Sequence, residues 1–105
     1  MSDNLKRCAA RLLQFATLGR TEARRALQSV TRDIINALSE IAYNLREGAA
    51  RASDRLKNSK LVKTLSQKGV PLKTKFKLLC TATAPVVVQA LVSSVKTILE
   101  ALRDG

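Results

Sequence analysis

The chain contains no histidine and no tryptophan, and its only aromatic residues are Phe15, Tyr43 and Phe76. Without histidine, with one tyrosine and without a glycine-rich loop, it lacks the common equipment for acid and base catalysis and for cradling a nucleotide, so an enzyme is not expected. Three aromatics also supply stacking platforms for single-stranded nucleic acid poorly. The two cysteines, Cys8 and Cys80, are too few for a disulfide framework, and the missing histidines remove the usual zinc arrangements. Cys8 shares a helical stripe with Leu5 and Leu12, which reads as a core position in a protein of a reducing compartment. No metal site and no cofactor is predicted. Residues 1–18 carry neither the apolar block nor the cleavage motif of a secretory signal. Carboxylates are scarce as well: 8 Asp and Glu face 19 Lys and Arg, a net charge of +11. Such an excess points to an anionic partner, with nucleic acid first and an anionic membrane surface second.

What remains is a chain that is 46% hydrophobic, with Leu, Ile, Val and Ala at helical spacing, which predicts a single all-α protein. The dominant stretch, Thr21 to Asn58, has no proline and reads as one long helix. Leu27, Val30, Ile34, Leu38, Ile41, Leu45, Ala49, Ala52 and Leu56 follow at steps of three or four and form one buried stripe. At roughly 1.5 Å per residue, the helix would exceed about 50 Å and need a partner, expected from a second copy. Gly48, close to that stripe, reads either as a crossing point between helices or as a soft spot costing about 1 kcal/mol.

Before this stretch, Ser2 or Asp3 is expected to cap a first helix bearing Leu5, Cys8, Leu12 and Phe15. Gly19, in the left-handed conformation, and Arg20 are expected to make a tight turn into an antiparallel hairpin. After it, Ser59 is expected to cap a short third helix with Leu61, Val62 and Leu65, ended by Gly69, Val70 and Pro71. Between Ser59 and Lys77 lie six lysines and no carboxylate. Leu72 to Leu78 alternates apolar and basic residues and reads as a basic linker. Val86 to Arg103 reads as a last amphipathic helix, with Val88, Leu91, Val92, Val95, Ile98, Leu99 and Leu102 on one side. The uncharged run Leu78 to Val95 just reaches the length of a membrane span, although its Thr, Ser, Gln and Pro content favours the amphipathic reading. Two regions follow: 1–70, a helical dimerisation domain that also carries the candidate polyanion-binding residues given below, and 71–105, a basic linker and C-terminal amphipathic helix.

Along the long helix, Asp33, Glu40, Glu47 and Asp54 recur every seven residues as a solvated or salt-bridging edge, with Glu47 placed to pair with Arg51. Beside it runs a row of Arg25, Arg32, Asn36, Ser39 and Arg46, continued by Arg51, Lys57 and Lys60. Arg and Lys suit phosphates, and Asn and Ser suit 2′-hydroxyls along a shallow minor groove. These eight residues are therefore the expected contacts to double-stranded RNA, read by shape rather than by sequence.

From Arg32 to Lys68 the chain resembles, without gaps, the small silencing-suppressor proteins of nodaviruses. Arg32, Asp33 and Ile34 begin the match, Asn36 and Leu56 follow, and Leu61, Val62 and Leu65 close it. The resemblance implies a two-fold homodimer: a long antiparallel helical hairpin with a short third helix, dimerising into a four-helix bundle, here with an additional C-terminal amphipathic helix. It implies a host-cytoplasmic viral protein that binds duplex RNA regardless of sequence, shields long duplexes from Dicer and keeps short ones from the silencing complex. The family's pivotal arginine falls on Ala50. Either the register slips so that Arg51 is its equivalent, or Arg46 and Lys57 supply the charge. The alternative function is that of a membrane-active protein associating with anionic membranes through residues 78–102.

Overall fold

Serine and threonine hydroxyls and one glycine divide this chain into short helices. The structure is a computed structural model that describes residues 2–104, and the side chains of residues 3–101. The Ser2 and Leu102 side chains lie outside these residues, and Asp3, the other expected cap, stands inside the first turn of α1. Among the described residues the chain is all-α: α1 (Ser2–Phe15), α2 (Arg20–Gln28), α3 (Arg32–Arg46), α4 (Asp54–Lys57), α5 (Lys60–Ser66), α6 (Leu72–Leu79), α7 (Ala84–Val92) and α8 (Val95–Asp104).

The single long helix expected over Thr21 to Asn58 is instead three helices, α2, α3 and α4. The first break falls at Ser29, Val30 and Thr31. The Ser29 hydroxyl donates back to Ala26 O at 3.4 Å, and Thr31 Oγ1 accepts the Ile34 N–H at 3.3 Å. Hydroxyl side chains that satisfy backbone groups locally favour a stop and a fresh start over an uninterrupted helix, and Asp33 in the new first turn complements the positive end of α3. The second break is Gly48, whose φ of 92° is left-handed. Its N–H donates to Leu45 O at 3.2 Å and the Ala49 N–H donates to Asn44 O at 2.9 Å, the paired bonds of a Schellman stop. Nothing lies within 4 Å of where a Cβ on Gly48 would sit, so this glycine is neither a crossing point nor a soft place inside a helix. The glycine expected to be left-handed, Gly19, has φ −69° and precedes α2 as its cap.

Two further expectations change. Leu72 to Leu78 is not a linker but most of α6, started by Pro71, whose carbonyl accepts the Thr74 and Lys75 N–H groups at 3.1 and 3.2 Å. The last helix is broken at Ser93 and Ser94 into α7 and α8. Other expectations hold: Ser59 Oγ accepts the Val62 N–H at 3.3 Å to begin α5, and Cys8 is a buried core residue.

With the breaks in place, α3 becomes the central helix. It buries Ile35, Ala37, Leu38, Ile41, Ala42 and Leu45, a wider arc than the predicted stripe, because α1, α5, α6, α7 and α8 of its own chain pack around it. Each fully buried Leu or Ile contributes about 1.5–3 kcal/mol relative to exposure. Val88, Leu91, Val92, Val95 and Ile98 from the C-terminal helices join the same core as Leu5 and Leu12 of α1, so the apolar core is continuous across position 70. Gln89 of α7 reinforces that connection: its Nε2 donates to Leu18 O at 2.9 Å, beyond α1, and at 3.3 Å to Phe15 O, which also accepts the Leu18 N–H at 3.1 Å. No single helix among the described residues is long and apolar enough to cross a membrane, and α6 and α7 meet at a bend of 106°.

Candidate nucleic-acid interface and an adjoining cleft

From Arg55 to Leu99 the sequence has nine lysines and arginines and no carboxylate. The fold concentrates five of them on consecutive elements: Lys60 and Lys63 on α5, Lys68 on the turn that follows, and Lys73 and Lys77 on α6, all exposed. Their exposure follows from the helical period. Leu61, Val62 and Leu65 turn α5 inward, leaving positions 60 and 63 outward, and Lys73 and Lys77 are one turn apart on α6. Arg46, at the end of α3, joins this surface by donating from Nη1 to Ser66 Oγ at 3.1 Å.

The eight residues expected to meet RNA are distributed unevenly. Arg32, Asn36, Ser39 and Arg46 all lie on α3, Lys57 on α4 and Lys60 at the first position of α5. Arg25 belongs to α2, and the break at Ser29 to Thr31 removes it from the continuous row that a single helix would have made. Arg51 is exposed in the stretch between α3 and α4, whereas Ala50 is buried at 8% exposure; of the two, the arginine faces solvent. Ser39 is engaged inside the protein, donating to Ile35 O at 2.9 Å and accepting from Lys75 Nζ at 3.0 Å. The expected helical pairing of Glu47 with Arg51 is absent, because Glu47 is the C-cap of α3 and Arg51 lies beyond the helix. The carboxylate row likewise ends as a row at Gly48.

Next to the lysine surface is a cleft of about 570 Å³ between α1, α3, α5 and α6. Asn36, Ser39 and Tyr43 reach it from α3, Arg7 from α1, Lys68 from the α5–α6 turn and Lys75 from α6. Lys75 is 5% exposed, a core position three residues after Leu72 and four before Leu79. Burial lowers its pKa, since a charged ammonium is disfavoured away from water. Lys68 Nζ stands 5.6 Å from the centre of the Tyr43 ring, within cation–π range.

Glu40 also borders the cleft, and one of its carboxylate oxygens is buried without a hydrogen-bond partner. Burial raises its pKa, partly offset by the Leu5 backbone at the start of α1. The seven-residue repeat predicts a solvated or salt-bridging edge, and Glu40 departs from the solvated form of it. Sequence reasoning missed Lys75, Lys68 and Arg7 as neighbours. The signal for Lys75 was present: read with a helical period, Leu72, Lys75, Phe76 and Leu79 form one stripe with a lysine inside it. No protein-family model, curated protein or solved structure matches this chain.

Proposed function

We propose that this protein binds double-stranded RNA through its phosphates and minor-groove hydroxyls without reading sequence, and thereby suppresses RNA silencing in the host cytoplasm. The observation that carries this reading is the run of exposed lysines on α5 and α6 with no carboxylate from Arg55 to Leu99. Such a surface attracts a polyanion by Coulomb forces and counterion release. Asn36, exposed on α3, supplies an amide of the kind that meets 2′-hydroxyls. The biological role, protection of long duplexes from Dicer and retention of short ones, comes from the resemblance of Arg32 to Lys68 to the nodavirus suppressors.

The proposal keeps the duplex and changes the assembly. The longest dimension of one chain is 36 Å, whereas a footprint across two minor grooves covers about 16 base pairs, on the order of 45–55 Å. Two copies are therefore proposed to lie side by side on the duplex. A four-helix bundle shared between copies through α3 is not part of the proposal, because α3 is already covered by its own chain.

Replacing Lys60, Lys63, Lys73 and Lys77 together by Gln tests the reading. All four are exposed, so the variant should fold, with duplex affinity lowered and the slope of log affinity against log salt reduced by roughly 0.7–0.9 for each phosphate no longer neutralised. An unchanged slope would assign binding to another surface.

A further inference from the structure

We propose that the cleft between α1, α3, α5 and α6 binds a nucleoside 5′-monophosphate group, either a free mononucleotide or the phosphorylated 5′-terminal nucleotide of an RNA strand. The RNA-end form rests on the duplex reading above; the free-nucleotide form does not.

Lys75 sets the chemistry of the cleft. Its side chain is nine-tenths buried or more, yet its hydrogen bond goes to a neutral hydroxyl, Ser39 Oγ, at 3.0 Å. A buried charge is normally paired, and here burial acts on the pKa with no carboxylate to offset it. An ammonium with donors to spare, at the wall of a 570 Å³ cleft, is completed by an anion that enters from solvent. Arg7 and Lys68 stand on the same cleft and add positive charge around that anion, while Asp33 and Glu40 also line it. Three cations thus face two carboxylates, and the anion belongs beside Lys75 rather than anywhere in the cleft.

The remaining wall suits more than phosphate. Tyr43 is 38% exposed and offers an aromatic face on which a base can stack. Lys68 covers that ring at 5.6 Å from the outer turn. A base arriving over Tyr43 displaces the Lys68 ammonium, which is then released to meet the phosphate beside Lys75. Asn36 borders the same space, and its amide both donates and accepts, as ribose hydroxyls and base edges require. The Asn4 amide beside it is already engaged, donating to Asp33 O at 3.1 Å and accepting from Arg7 Nη2 at 3.4 Å. A volume of 570 Å³ lies within the usual range for small-molecule sites. Cations at one part of the cleft and mixed donors and acceptors around an aromatic ring match a nucleotide better than a bare anion.

The test is an NMR titration of the full chain with adenosine 5′-monophosphate, adenosine and inorganic phosphate, beside binding of RNA duplexes with 5′-phosphate or 5′-hydroxyl ends. The mononucleotide should saturate the cleft resonances, at least about tenfold more tightly than adenosine or phosphate. Lys75→Met, which keeps an unbranched side chain one atom shorter and removes the charge, should weaken the mononucleotide by about tenfold or more while the protein still unfolds cooperatively. A preference for 5′-phosphorylated duplex that Lys75→Met abolishes assigns the site to RNA ends; saturation by the mononucleotide without that preference assigns it to free nucleotide. No saturation at millimolar mononucleotide, or equal affinity in Lys75→Met, overturns the proposal. The duplex reading is judged separately, by 5′-hydroxyl duplex, which wild type and Lys75→Met should bind alike.

Discussion

Lys75 and Glu40 are the residues at which the fold and its charge are in conflict. Burial holds the Lys75 pKa below its ordinary 10.5, so the folded protein binds that proton less firmly than the unfolded chain does. Its contribution to stability is complete above 10.5 and is lost as pH falls through the lowered value. Lys75→Met should therefore unfold at higher denaturant than wild type at neutral pH, by on the order of 1–3 kcal/mol, with the difference shrinking in alkaline solution. Glu40 behaves in the opposite direction along the pH axis. Its pKa is raised above 4.5, so the stability it contributes is present below 4.5 and is lost as pH rises through the folded value. Glu40→Gln should flatten that decline in a urea series across the acidic range, and an unaltered profile would mean that this carboxylate is hydrated. Lys75 was legible in the sequence only under a helical reading of its segment, and Glu40 not at all. The run Leu72 to Leu78 fits an alternating pattern as well as a helical one, and only the helical reading puts Lys75 inward. Glu40 sat in a regular acidic row that looked solvated, because sequence spacing does not reveal that α1 begins opposite it.

At the scale of elements, burial positions were more legible than helix lengths. Leu38, Ile41, Leu45, Val88, Leu91 and Ile98 were all expected inside and all are buried, since three- and four-residue spacing survives whether a helix is whole or broken. The breaks were missed because Ser29, Thr31 and Gly48 are individually tolerated in helices; their hydrogen bonds decide the matter. Thr31→Ala should lower stability by about 1 kcal/mol by removing the cap of α3. Gly48→Ala should cost about 1–2 kcal/mol from its left-handed backbone, with no steric addition because its surroundings are open. If Gly48→Ala instead stabilised the protein and raised its helical circular dichroism, the segment would prefer the continuous helix. Gln89→Leu should cost about 1–3 kcal/mol, because it leaves the Leu18 carbonyl without this donor, and thermal unfolding measures it.

For the whole molecule, composition carried the inference furthest. The imbalance of 19 basic against 8 acidic residues was visible at once, and the fold adds where it is concentrated: an α5–α6 surface without a carboxylate. The long basic row along one cylinder was not realised, since Arg25 lies on α2 and Ser39 turns inward to Lys75. On the proposed function, a chain with a longest dimension of 36 Å and its central helix enclosed would meet RNA as a small basic body, with further copies added along the duplex. The central claim is tested most directly by a gel-shift titration of duplex RNA and duplex DNA of the same length and sequence at two salt concentrations. Tighter binding to RNA at both salts, weakening steeply as salt rises, is the expected result. Equal affinity for the two duplexes, or binding indifferent to salt, would contradict it.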